Sequence, residues 1–106
     1  MNQYDIYTVN LDPTLGSEIK KTRPAVIISP DEMNQNLDTI IIAPMTSTQR
    51  KEYPTRHYVK GSKFEGYLVL DQIRTLDKSR FCKRIGKLGI EDIKKLKAIL
   101  KEMLID

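Results

Sequence analysis

Residues that form disulfides or bind metals are nearly absent from this sequence. There is one cysteine, Cys82, and one histidine, His57, among 106 residues. A lone cysteine cannot form an intramolecular disulfide, and a structural zinc site usually has four cysteine or histidine ligands. We therefore expect a protein of the reducing cytoplasm that uses no metal and no other cofactor, with both residues in surface or half-buried positions.

Long apolar runs and glycine-rich nucleotide motifs are also lacking. The N-terminal stretch MNQYDIYTVN has neither a basic start nor an apolar core, unlike a secretory signal, and no apolar run approaches the ~20 residues of a membrane-spanning helix. No phosphate-binding loop, dinucleotide fingerprint or pair of histidines is present. We expect no membrane partner, and any catalysis should use arginine, threonine, serine or carboxylate side chains.

The composition suits one small, basic domain, which we place at residues 1–106. Hydrophobic residues make up 40% of the chain, enough for a single modest core. Lysine and arginine number 18 against 14 aspartate and glutamate, giving a net charge of +4. This excess favours a polyanionic partner such as nucleic acid, but only weakly, because many basic proteins bind none.

Short β-branched runs between prolines, glycines and polar residues predict strands. The predicted strands are Tyr4–Leu11, Pro24–Ser29, Thr39–Met45, Thr55–Lys60, Tyr67–Ile73 and Arg80–Leu88. The last of these is cationic, as an edge strand would be, and Pro44 should end the ladder pairing of its strand because proline has no amide proton. The connections are predicted to be a loop at 12–22, one helical turn after Pro30, and a turn from Gly61 to Gly66.

The C-terminal segment has the spacing of an amphipathic helix. Its apolar residues recur at helical intervals, namely Ile90, Ile93, Leu96, Leu100 and Leu104. Glu91 and Asp92 favour the N-terminal end of the helix dipole. Five to seven short strands followed by one helix predict a mainly β protein, with a strongly bent antiparallel sheet that forms a small barrel.

Three polar groups stand where apolar strands begin or end. Arg23 precedes the second strand and Thr46 follows the third. Asp71 and Gln72 close the strand YLVLDQ. If these strands are neighbours, their ends converge on one rim with Glu18 reaching over from the loop, a common position for functional sites. Ordinary structural interpretations remain open: Arg23 as a surface ion-pair partner of Glu18 or Asp71, and Thr46 as part of a hydrogen-bonded turn.

Three segments together resemble the toxins of the MazF/PemK (Kid) family of bacterial toxin–antitoxin systems. They are VNLDPTLGSEIKKTRPAVIISPDEMN, APMTS and LVLDQIRTLDKSR, and the match extends over nearly the whole chain. The resemblance implies a small SH3-like (CcdB/PemK-type) antiparallel barrel with appended helices that works as a homodimer. It also implies a metal-independent, sequence-specific endoribonuclease that cuts single-stranded RNA, especially messenger RNA, and arrests translation and growth. A cognate antitoxin would neutralise it through an acidic, disordered C-terminal segment.

The resemblance also implies roles for individual residues. Arg23 and Thr46 correspond to catalytic residues, Glu18 to a functional carboxylate on the loop, and Asp71 with Gln72 to part of the RNA groove. One position departs from the plasmid Kid branch, in which an arginine stands two residues before the aspartate. Here that position is Val69, so the catalytic roles of the Kid branch should not be transferred.

A mechanism without metal follows from these residue types. The ribose 2′-OH can attack the adjacent phosphate, and the guanidinium of Arg23 matches the oxygens of the phosphorane with two parallel donors. The Thr46 hydroxyl can donate a further hydrogen bond. Arginine is a poor base because its pKa exceeds ~12, so we assign Arg23 to charge stabilisation. The 2′-OH proton needs a carboxylate, for which Glu18 is preferred over Asp71.

Unpaired bases of RNA should be read by polar side chains on strand ends and loops. The candidates for base contacts are Ser17, Ser47, Thr48, Gln49 and Gln72, and those for phosphate contacts are Lys20, Lys21 and Arg56. Two other functions stay open. CcdB-type toxins use the same barrel to bind DNA gyrase without catalysis, and an inactive relative could persist as an interaction module, since fold alone does not decide function.

Overall fold

Seven strands and two α-helices make up the part of the chain that the computed structural model describes, residues 1–11, 22–47 and 54–106. The strands are β1 (Asp5–Asn10), β2 (Thr22–Ile27), β3 (Thr39–Thr46), β4 (Arg56–Lys60), β5 (Glu65–Val69), β6 (Arg74–Asp77) and β7 (Phe81–Lys87). The helices are α1 (Asp31–Asn36) and α2 (Ile90–Leu104), with single 3₁₀ turns at Leu70–Gln72 and Lys78–Arg80. In these residues, no helix has the length and apolarity needed to cross a membrane.

All strand pairs are antiparallel, and β3 lies at the centre of the sheet. The neighbours follow the order β4-β5-β3-β2-β1-β7, and β6 pairs with the first half of β3. Ile42 of β3 lies opposite Ile27 of β2 on one side and Arg74 of β6 on the other. The mainly β, antiparallel architecture with a C-terminal helix confirms the predicted fold class.

The prediction that Pro44 ends the pairing of its strand is wrong. Pro44 is the last residue of β3 that pairs with β2, where it lies opposite Ala25. The strand continues to Thr46 and pairs instead with β5, placing Met45 opposite Leu68 and Thr46 opposite Tyr67. Because proline lacks only its own amide donor, the strand changes partners here without ending.

Alternate residues of the strands fill two apolar clusters on opposite faces of the sheet. The cluster beneath α2 comprises Ile6, Val26, Ala43, Met45, Val59, Leu68, Leu70, Leu88 and Leu96. The other comprises Val9, Ala25, Ile27, Ile40, Ile42 and Leu76. The consecutive isoleucines of β3 were predicted to be buried on both faces, and Ile40 and Ile42 are fully buried while Ile41 is half-buried.

Several element boundaries differ from those predicted. The second strand begins at Thr22 and ends at Ile27, two residues before the predicted bounds at each end. Gly66 lies inside β5 and not in a turn. A Cβ atom there would come within 2.7 Å of the Thr46 carbonyl oxygen, so glycine allows β5 to approach the end of β3. Strand β6 was not predicted, since its four residues are too short to show a period.

Helix α2 and edge strand β7 confirm two predictions. Strand β7 pairs with β1 and ends the described sheet. In α2, Leu96 is buried, whereas Ile90 and Leu104 at the two ends are largely exposed. Those two residues keep the helical spacing but lie beyond the cluster that Leu96 joins. The Nε2 atom of His57 on β4 lies 2.8 Å from the Oδ1 atom of Asp92, which ties the start of α2 to the sheet.

Candidate active site

Two cavities lie side by side at the rim of the sheet, with volumes of about 300 Å³ and 400 Å³. The first is lined by Thr22, Arg23, Pro24, Met45, Thr46, Ser47 and Glu65. The second is lined by Leu11, Arg23, Pro44, Met45, Thr46, Val69, Gln72 and Arg74. Arg23 and Thr46 line both cavities, so the arginine and the threonine singled out in the sequence stand between them.

The register of β2 and β3 explains why these two residues meet. Ala25 lies opposite Pro44, so continuing the antiparallel register by two residues places Arg23 beside Thr46. A step of two residues also keeps both side chains on the same face of the sheet. Arg23 is exposed and Thr46 half-buried, which leaves the guanidinium open to a ligand while the strand that carries it is anchored at Ala25.

Further polar side chains surround this pair. Gln72 lines the second cavity, as predicted for the end of its strand, and Ser47, a predicted base contact, lines the first. Arg74 also lines the second cavity, on the same face of the sheet, because it lies opposite Ile42 in β6. No role is predicted for Arg74 from the sequence, because the four residues of β6 are too few to show a period. It adds a second exposed cation to the rim.

Asp71 and Arg56 bind each other instead of lining these cavities. The Nε atom of Arg56 lies 3.7 Å from Oδ1 of Asp71, and the Thr55 hydroxyl donates a 3.0 Å hydrogen bond to the same oxygen. Among the described residues, no ion pair joins Asp71 to Arg23, so that alternative for the arginine is not observed. Asp71 follows β5 in a 3₁₀ turn, which turns it away from its neighbour Gln72.

Glu65 is a carboxylate at the site that the sequence analysis missed. It is the first residue of β5 and lines the same cavity as Arg23 and Thr46. The hydroxyl of Tyr58 donates a hydrogen bond to its carboxylate. That bond, together with desolvation and the charge of Glu65, raises the pKa of the Tyr58 phenol. Glu65 was assigned to a turn, although its alternation with Tyr67 and Val69 could have placed it on the strand.

Six predicted site residues lie outside the described part of the chain. They are Ser17, Glu18, Lys20, Lys21, Thr48 and Gln49. Their proposed roles therefore stay predictions.

The cysteine and the histidine occupy the positions expected for non-catalytic residues. Cys82 is exposed on β7, and the half-buried His57 bonds Asp92. Within residues 1–11, 22–47 and 54–106, no group of three or more histidine, cysteine, aspartate or glutamate side chains could hold a metal ion. The polar groups that line the two cavities are two guanidiniums, three hydroxyls, the Gln72 amide and the Glu65 carboxylate, and the guanidiniums and hydroxyls are suited to binding a phosphate.

Comparison with known proteins gives a consistent result. Residues 2–104 match the family model described as PemK-like, MazF-like toxin of type II toxin–antitoxin system. The chain is 35% identical over 101 residues to Endoribonuclease MazF of Staphylococcus saprophyticus, which covers 91% of this chain and 84% of that protein.

Solved structures share the fold. An endoribonuclease in complex with its cognate antitoxin from Mycobacterial species superposes with a TM-score of 0.84 at 22% identity, covering 98% of this chain and 94% of that one. The MazE–MazF structure of Deinococcus radiodurans (Form-II) gives 0.83 at 24% identity, with 98% and 95% covered. At these identities the superpositions show the fold alone.

Proposed function

This chain belongs to the PemK-like, MazF-like toxin family of type II toxin–antitoxin systems and is an endoribonuclease of that family, and we propose that it cuts single-stranded RNA, above all messenger RNA, at specific sequences and without a metal ion. Cleavage would inhibit translation and arrest growth. The observation that carries the proposal is the position of Arg23 and Thr46, which stand together between two cavities large enough for nucleotides.

The RNA supplies the nucleophile in the proposed reaction. The 2′ oxygen forms a bond to the adjacent phosphorus while the bond from phosphorus to the 5′ oxygen breaks. The products are a 2′,3′-cyclic phosphate and a 5′-OH end, and no water is consumed. The 2′-OH loses its proton to a base, and the departing 5′ oxygen gains one, so that charge and atoms balance.

Arg23 stabilises the charge that develops on the phosphorus oxygens. Two parallel N–H donors of a guanidinium fit two of those oxygens, and arginine keeps its charge throughout. A fixed donor of this kind contributes about 3 to 4 kcal/mol, or a factor of ~10²–10³ in rate. The Thr46 hydroxyl donates a second, neutral hydrogen bond. Anchoring of Arg23 in β2 limits the reorganisation that binding would otherwise require.

Three carboxylates compete for the role of base. Glu18 is the candidate preferred from the sequence and lies outside the described residues. Asp71 is engaged by Arg56 and Thr55. Glu65 lines the cavity beside Thr46. General-base catalysis contributes about 10²–10⁴-fold where it operates. The cleavage rates of Glu18→Gln, Asp71→Asn and Glu65→Gln should therefore differ clearly. Only the variant that lacks the base should be slowed by such a factor.

The cations of the rim and the loop would hold the RNA backbone. If about four phosphates are neutralised, the logarithm of the binding constant should fall with the logarithm of salt concentration with a slope near −3, by the single-strand rule. The same cations suit an acidic antitoxin segment, which we propose to occupy the groove in place of RNA. The functional unit is proposed to be a homodimer, which sedimentation can test.

Gyrase binding of the CcdB type is not favoured. The family match is to the PemK-like, MazF-like toxins, and a non-catalytic gyrase poison has no need for an arginine and a threonine that flank a shared cavity. An RNA cleavage assay distinguishes the two functions, because a gyrase poison would leave RNA intact.

The decisive experiment maps the cuts in a long unstructured RNA. Purified protein in EDTA should produce discrete cuts, located by primer extension, and the new ends should be 5′-OH groups that accept phosphate from polynucleotide kinase without prior dephosphorylation. Arg23→Ala should remove the cuts while remaining folded. Lys97→Ala, which removes one exposed cation from α2, is the matched control and should cut as the wild type does. Cuts that need a divalent ion, or that persist in Arg23→Ala, would contradict the proposed mechanism.

A further inference from the structure

Three side chains form a row that leads away from the catalytic threonine. Thr46 of β3 lies opposite Tyr67 of β5, and Tyr67 lies opposite Tyr58 of β4. Residues directly opposite one another share a face of the sheet. The neighbours Val59 and Leu68 point into the cluster beneath α2, so the two tyrosines lie on the other face, with Thr46.

The two tyrosine rings are in contact and partly open to solvent. Their centroids are 5.2 Å apart and the ring planes are inclined by 57°. Tyr58 is 43% exposed, and Tyr67 is half-buried. The bond from the Tyr58 hydroxyl to Glu65 limits rotation of the outer ring. Because Glu65 lines the cavity with Arg23, the rings are linked directly to the wall of the candidate active site.

We propose that Tyr58 and Tyr67 form a stacking surface for an unpaired RNA base beside the scissile phosphate. The proposal rests on the proposed function, because it places a subsite in the same RNA groove. Neighbouring strands are ~4.8 Å apart, so the row extends ~10 Å from Thr46, a distance that a nucleotide next to the cleaved bond can span. Aromatic rings accept any base, because every base has a flat π-face.

A lysine lies on the same face as the tyrosines, opposite Glu65. Lys60 is exposed and two residues from Tyr58 on β4, hence on the same face as the tyrosine rings. A stacked base brings its own phosphate with it, and a neighbouring lysine can neutralise that phosphate. A stacking surface with a cation beside it is the usual construction of sites for single-stranded nucleic acid. An apolar protein partner would gain nothing from this lysine.

A single tryptophan makes stacking directly visible. The chain contains no tryptophan, so Tyr58→Trp in the Arg23→Ala background gives a single tryptophan, which can be excited selectively, in a protein expected to bind RNA without cutting it. Its emission should fall, with saturation, as an unstructured RNA oligonucleotide is added. The matched control is Ile105→Trp in the same background, at a position 77% exposed beyond α2, and its emission should stay nearly constant. Equal responses of the two proteins would overturn the proposal.

Cleavage kinetics give a second readout. One base stacked on an aromatic ring contributes about 1–3 kcal/mol, so Tyr58→Leu should lower kcat/KM by a factor between about 5 and about 150. Tyr58→Phe keeps the ring and loses only the hydroxyl, so it should retain most of the activity. A purely structural role for the side-chain volume would instead be satisfied by leucine, and full activity of Tyr58→Leu would contradict stacking.

Failure of this proposal can be distinguished from failure of the proposed function. A wild-type protein that cuts no RNA would remove the proposed function, and the fluorescence titration would still decide the stacking, since binding needs no cleavage. A wild type that cuts RNA, with Tyr58→Leu equally active, would remove the stacking surface alone. If Tyr58→Leu changed the sedimentation of the protein without RNA, the tyrosines would belong to a protein interface, and the proposal would be wrong.

Discussion

The two faces of the sheet around β5 have opposite properties although the same strands build both. On the face toward α2, Leu68 is fully buried against Val59 and Leu96. On the other face, its neighbour Tyr67 is only half-buried and lies opposite Thr46 of β3. Around β5, one face therefore packs against the helix and the other is open at the rim. Substitutions of the residues packed beneath α2 should change unfolding, and substitutions of the exposed rim residues should change cleavage.

The largest expected effect on the rim is that of Arg23. Arg23→Ala should lower kcat by ~10²–10³, because a fixed charged donor to the transition state is lost. Arg23→Lys should recover part of that loss, since it restores the charge without the two parallel donors. The free energy of unfolding in urea should change by less than about 0.5 kcal/mol in both, as for other exposed residues. If either variant lowered the free energy of unfolding as much as a substitution in the core does, its effect on cleavage could not be separated from an effect on folding.

The largest effect on the helix-covered face is expected at Leu96, which is 1% exposed. Leu96→Ala should lower the free energy of unfolding by about 3 kcal/mol, since it leaves a cavity in the core. Activity per folded molecule should be unchanged. Ile90→Ala on the same helix is the control, because Ile90 is 73% exposed and its loss should cost little. Similar unfolding curves for the two variants would show that α2 does not pack as the structure has it.

A smaller effect is expected from Thr46. Thr46→Val keeps the shape of the side chain and removes the hydroxyl, so it should lower kcat/KM about tenfold to a hundredfold, the contribution of a hydrogen bond to a charged group. Thr39→Val at the other end of β3 should cut RNA at the wild-type rate. Single-turnover cleavage assays measure both. If the two variants cleaved RNA at the same rate, the hydroxyl of Thr46 would have no role in catalysis.

The smallest effect is expected from the bond that joins β4 to α2. His57→Ala should lower the free energy of unfolding by about 1 kcal/mol, because it removes the hydrogen bond to Asp92. The double variant with Asp92→Ala should cost less than the sum of the two single changes, as for other residues in contact. Cleavage should be unaffected, since His57 points toward the helix. A large loss of activity would place the histidine in the chemistry after all.

Local patterns predicted much of this architecture. The alternation of Ile6 with polar neighbours indicated β1, and the spacing around Leu96 indicated α2. Both patterns depend only on the spacing of apolar residues within one strand or helix, so they can be recognised without knowing which other element packs against it. The meeting of Arg23 and Thr46 was predicted on the assumption that their strands are neighbours; β2 does pair with β3, and both residues line the same two cavities.

Other features depended on pairing between distant segments. Strand β6 is held by β3 and has too few residues to show a period. Pro44 ends the pairing of β3 with β2 while β3 goes on to pair with β5, and Gly66 allows β5 to lie close to Thr46. Each of these three features depends on which strands lie side by side. The residue pattern within one strand does not contain that information.

The sequence by itself determined the secondary-structure elements, the family and the residue types that the chemistry needs. Only the tertiary structure decided which of them act together. Arg23 lies at the start of β2 and Arg56 at the start of β4, yet Arg23 is exposed between two cavities and Arg56 is paired with Asp71. Glu65 lies at the site because β5 pairs with the end of β3. The physical reason is that period determines the face on which a side chain lies, whereas the distance between two side chains depends on strand register.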